Sequence, residues 1–110
     1  MSNLKDLIKQ RGHIRSRLTL FEKYLSPLLN YKETSAVTLN ELRLRCSKVR
    51  DMSCSFEEIQ SQIEMLDEDT TKQMQERETT ENSFFNLIAQ AQSLLEFFEK
   101  QHTVESLSNA

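Results

Sequence analysis

Nucleophiles, proton carriers and metal ligands are scarce in this chain. It holds two histidines, His13 and His102, and two cysteines, Cys46 and Cys54. The histidines stand far apart, with no carboxylate at helical ligand spacing beyond chance. Cys-x-x-Cys, His-Glu-x-x-His and glycine-rich phosphate-loop patterns are all missing from the sequence, so neither a zinc-type ligand set nor a backbone cradle for phosphate is indicated. Asp and Glu number 17. They spread along the chain and do not form the close carboxylate pair that general acid–base chemistry uses. The sequence therefore predicts no enzyme, no cofactor, no metal and no small-molecule substrate.

Three groups carry binding chemistry instead. Lys5, Lys9, Arg11, Arg15 and Arg17 form a basic stretch able to meet the phosphates of RNA or an anionic membrane. Aromatic residues are not interleaved with it, so stacking of single-stranded bases is not indicated. Phe84, Phe85, Leu87, Leu94, Phe97 and Phe98 add apolar surface beyond what one packed stripe requires. They either fill a core between two neighbours or leave a patch for self-association or a partner. Arg11 falls on an apolar seam, where a polar residue commonly fixes register; Glu64 and Glu68 are its candidate partners.

The elements that hold these groups follow from punctuation. One Gly (Gly12) and one Pro (Pro27) leave few tight turns, because those residues supply the backbone angles turns require. A hydrophobic share of 37% beside 28% charged residues suits thin helices packed along narrow seams. The fold class is all-α: three long amphipathic helices in one module spanning 1–110, as an antiparallel up-down-up bundle or coiled coil.

Helix one is predicted over about 3–31, with Leu4, Leu7, Arg11, Ile14, Leu18, Phe21, Leu25 and Leu28 in steps of three and four. Pro27 predicts a kink or restart near Ser26. Thr38 and Glu41 have capping-box spacing, opening a second helix over about 39–67 that carries Leu39, Leu42, Cys46, Val49, Met52, Phe56, Ile59, Ile63 and Leu66. Thr70 and Gln73 repeat that spacing before a third helix, about 71–101. Its stripe reads Met74, Arg77, Glu81, Phe84, Ile88, Ala91, Leu95 and Phe98, with polar first turns prone to fray and a polar tail over 102–110.

Charge divides the chain. Residues 1–50 hold eleven Lys/Arg and four Asp/Glu, a net +7; residues 51–110 hold three and thirteen, a net −10. Up-down-up packing would set Lys5, Lys9, Arg15 and Arg17 beside Glu57, Glu58, Glu64 and Asp67. Cys46 and Cys54 share one helix at roughly 12 Å of axial separation, too far to bridge, which predicts free thiols. With no apolar signal core and no run of membrane-spanning length, the expected location is intracellular, the cytoplasm favoured over the nucleus.

Residues 4–29, LKDLIKQRGHIRSRLTLFEKYLSPLL, resemble the N-terminal segment of Gag-type polyproteins of Pao/BEL-like retrotransposons. The matching elements are Gln10-Arg11-Gly12-His13-Ile14 and Leu18-Thr19-Leu20-Phe21. The similarity continues through LNELRLRCSKV (39–49) and FEEIQSQIE (56–64) to ERETTENSFFNLIAQAQSLL (76–95). This resemblance implies a structural module of Gag-like assembly, or a host gene derived from one, with no catalytic residue. Three functions thus stand as expectations: an assembly module binding itself or another helical protein; a nucleic-acid or membrane-surface binder using the basic stretch; and a cellular coiled-coil adaptor.

Overall fold

The computed structural model describes residues 3–108, with side chains through Thr103. The described residues form three helices: α1 (Leu4–Leu28), α2 (Ala36–Leu66) and α3 (Thr70–Ser108). No strand occurs among the described residues. The helices pack into a bundle measuring 62 × 24 × 19 Å, each touching the other two. Cross-links between α2 and α3 run in opposite order along the two helices: Arg43 to Glu99, Arg50 to Gln92, Gln60 to Gln73.

Local chemistry places the helix ends, and it differs from the predicted caps. Asn3 opens α1 by accepting the Asp6 amide at 2.9 Å. Ser35, not Thr38, caps α2: its hydroxyl accepts the Thr38 amide at 3.1 Å, so α2 begins about one turn earlier than predicted. Asp69, not Thr70, caps α3 by accepting the Lys72 amide at 3.1 Å. A carboxylate or hydroxyl ahead of the first free amides satisfies them equally well; the Thr38 and Thr70 spacings were coincidental. Pro27 causes no restart, because it lies one residue from the end of α1, where little helix remains to be broken. The predicted tail is also corrected: backbone 102–108 continues α3 as helix, while 109–110 fall outside the described residues.

The α1 seam is as predicted, with Leu7, Arg11, Ile14, Leu18, Phe21, Leu25 and Leu28 buried in strict alternation of four and three. On α2, Gln60 is fully buried beside the predicted Ile59, which packs only partly, and Leu66, predicted to end the stripe, is exposed at the last residue of the helix, where no neighbour covers it. The α3 stripe shifts by more. Gln73, Thr80, Phe84, Leu87, Ala91, Leu94, Leu95 and Phe98 are buried, while Met74 is exposed. A helix meeting two neighbours buries a wide face, so Leu87 and Leu94 join Leu95 inside. The polar first turns of α3 are helical from Thr70, with Gln73 and Thr80 bonded to α1 and Arg77 to α2.

Candidate interaction surfaces

At the end of the bundle where α2 turns into α3, three polar side chains meet in the core. Arg11 Nη1 donates to Gln60 Oε1 at 3.0 Å and to Gln73 Oε1 at 2.8 Å. Each amide turns its N–H end to a carboxylate: Gln60 Nε2 to Glu64 at 2.9 Å, Gln73 Nε2 to Asp67 at 2.7 Å. Gln60 also donates to the Gln73 carbonyl at 3.0 Å. The guanidinium is thus solvated by two amide oxygens whose dipoles are set by carboxylates one step out. Neither expected partner, Glu64 or Glu68, touches Arg11 itself. Burial pushes the Arg11 pKa down and nearby Arg15 adds to this, while Glu76 and Asp67 oppose it.

A second network surrounds Arg77, which donates to Glu64 at 2.8 Å, Glu81 at 2.9 Å and also Glu57. Hydrogen bonding to Glu64 leads the causes that raise the Arg77 pKa. Burial pushes the Glu64 carboxyl up, but the bonds from Arg77 and Gln60 outweigh it and hold the group below its usual range. The Asp69 amide and Gln73 hold Asp67 low, and Arg15 does the same for Glu76. Three carboxylates share one guanidinium, leaving a surplus of negative charge on the α2–α3 flank.

These contacts overturn the expected charge pairing. Glu57 and Glu64 pair with Arg77 of α3, not with α1, and Arg15 bonds Glu76 and, at 3.0 Å, Thr80. α3 supplies its own basic residue to the acidic end of α2. The expected basic patch is divided accordingly. Arg11 is buried and Arg15 is engaged, so only Lys5, Lys9 and Arg17 remain exposed.

The expected apolar interface divides as well. Phe84, Leu87, Leu94 and Phe98 lie in the bundle's own core, the first of the two alternatives open to them from the sequence. Phe85 and Phe97 stay out, 65% and 48% exposed. Twelve residues separate them, roughly 18 Å along the helix and a third of a turn around it, so they serve different surfaces.

Phe97 belongs to a groove between α1 and α3. Three adjoining cavities of 390, 240 and 640 Å³ run from Arg15 and Glu76 to Phe97. Successive cavities share walls: Glu22, Ser83 and Leu87 between the first pair, Asn86 and Gln90 between the second. Leu29 and Tyr31, 44% and 49% exposed, complete the apolar end. A separate cavity of 290 Å³ between α1 and α2 is lined by Arg17, Leu20, Arg45 and Lys48 over a floor of Phe21 and Met52. Sequence reading missed Arg45 and Lys48 as neighbours of Arg17, because proximity across two helices leaves no local signal.

Both cysteines are free thiols, Cys46 buried and Cys54 exposed. Burial raises the Cys46 pKa, which disfavours thiolate chemistry there. Among the described residues no group of three or more His, Cys, Asp or Glu is placed to hold a metal ion, and no helix is long and apolar enough to cross a membrane. No protein-family model, curated protein or solved structure matches this chain.

Proposed function

We propose that this protein is a non-enzymatic assembly module that associates with further copies of itself, in the manner the Gag-type resemblance implies. The observation that carries the reading is the continuous α1–α3 groove ending in Phe97, Leu29 and Tyr31. Its α3 wall, from Glu76 to Phe97, is roughly 30 Å long, enough for a helix of about 20 residues to lie along it. Apolar side chains left half-exposed at one end supply the desolvation that such contacts draw on. Packing of this face against the same face of a second copy across a two-fold axis gives the commonest oligomeric geometry. A helix of another cytoplasmic protein, as in an adaptor, would use the same groove. The phosphate-binding reading has less support, since two of its five cations are engaged within the fold.

Sedimentation at several concentrations tests the proposal with Phe97→Glu. A carboxylate placed in an interface loses hydration without gaining a partner. The parent is expected to associate as concentration rises, and Phe97→Glu to need a clearly higher concentration to do so, with unchanged helicity by circular dichroism. A folded Phe97→Glu protein that associates like the parent defeats the groove as the site.

A further inference from the structure

Phe85 is the most exposed aromatic side chain on α3, and it lies outside the α1–α3 groove. It sits on the outer side of α3, one helical turn from Glu81 and two from Glu78, beside the α2–α3 flank where Glu57, Glu64 and Glu81 share Arg77. Glu78 makes no ion pair among the described residues. The surroundings of this ring are therefore net acidic.

The α1–α2 cavity has the opposite character. Arg17 and Lys48 make no ion pair among the described residues; Arg45 pairs with Glu41 at 3.0 Å and covers the Tyr24 ring at 4.1 Å. Leu20, 63% exposed, and the floor of Phe21 and Met52 give it an apolar interior. An exposed ring with carboxylates around it faces solvent on one side of the bundle. On another side lies an apolar cavity with cations around it.

We infer that the α1–α2 cavity receives Phe85 and its acidic surroundings from a second copy of this chain. The inference rests on the self-association proposed above but uses different surfaces. Arg17 and Lys48 of one copy meet Glu78 and the Glu57–Glu81 flank of the next, while the ring covers Leu20. The phenyl group buries roughly 150–250 Å², a small part of a standard interface, so the contact is weak and concentration-dependent. Charge pairing across it sets the register and weakens with salt.

Geometry gives this contact a direction. The two surfaces lie on different faces, the cavity between α1 and α2 and the ring on the outside of α3, so one partner cannot satisfy both. Phe84, adjacent to Phe85, stacks on Phe56 with ring centroids 5.9 Å apart. The cavity lines up with Val49, seven residues away on α2, an axial offset of roughly 10 Å. A contact between two different surfaces, repeated with a stagger, builds an open chain of copies, in contrast to the closed dimer of the Phe97 face.

Complementary charge reversal on the full chain tests this. One variant carries Glu78→Lys and Asn82→Lys beside Phe85; the other carries Arg17→Glu and Lys48→Glu. All four positions are exposed, and none makes an ion pair among the described residues. Sedimentation of the parent should show species larger than a dimer. Each variant alone sets like charges across the contact and should require about tenfold higher concentration to pass the dimer. An equimolar mixture restores opposite charges at every junction and should recover the parent's behaviour. A parent that never exceeds a dimer, variants that assemble like the parent, or a mixture that fails to recover while both proteins remain helical would each overturn the inference. None of these results touches the groove, whose failure is read separately from Phe97→Glu.

Discussion

A charged side chain in the core of so thin a bundle has to be explained residue by residue. Arg11 is 6% exposed yet contacts no carboxylate; its partners are the oxygens of Gln60 and Gln73. Removing one of them leaves a buried guanidinium short of an acceptor. Gln60→Leu should cost about 1.5–3 kcal/mol, as for a lost hydrogen bond to a charged group, and denaturant unfolding measures it. An unchanged midpoint would show that Arg11 escapes to water. Replacing all three residues by apolar ones of similar size would remove the requirement altogether, which is why such layers are better explained by register than by stability. The seam position of Arg11 is visible in the heptad pattern. Its partners are not, because Gln60 and Gln73 look like ordinary surface residues until three helices meet.

At the scale of the element, α1 is the most regular of the three helices, and Gly12 is its weak point. A Cβ added there meets nothing within 4 Å, so no packing reason requires glycine in this fold. Gly12→Ala should stabilise the protein by about 0.5–1 kcal/mol through helix propensity, read as a higher melting temperature. A loss of stability would reveal a close approach to Gly12 by another chain. Periodicity made the lengths and inner faces of α1 and α2 legible in advance. The α3 stripe was harder, since Gln73 and Thr80 occupy seam positions where a search for apolar residues skips them. The α2 start was placed three residues late and the α3 start one residue late, because Ser35 and Asp69 are as capable of capping as the threonines nearby.

For the whole molecule, the charge division between the two halves is resolved mainly by α3. The carboxyls of Glu64, Glu76 and Asp67 are held below their ordinary values in the folded chain. The unfolded chain therefore binds protons more readily, and stability rises with pH over their range. Their contribution is complete above the unfolded values of about 4 and is lost as pH falls through the lowered folded ones. Thermal unfolding should be nearly constant between about pH 7 and 5 and drop steeply below about 4. Glu64→Gln should flatten that drop; a variant as acid-sensitive as the parent would exclude Glu64 as a source.

The sequence by itself determined that the chain is helical, that there are three helices, which face of α1 and α2 turns inward, and that the cysteines stay apart. These are local properties: few breakers, a repeat of three and four, and a fixed rise per residue, all expressed within a single helix. Only tertiary structure decided that Arg11 rests on two glutamines, that Arg77 gathers Glu57, Glu64 and Glu81, and that Phe85 and Phe97 stay outside while Phe84 and Phe98 do not. It also brought Arg17 together with Lys48, and left the α1–α3 groove open. Each of these depends on the rotation and axial offset of one helix against another. A shift of one residue turns a helix by about 100° and exchanges its buried and exposed side chains. That phase is set by how all three surfaces interlock at once, so no single helix carries it in its own sequence.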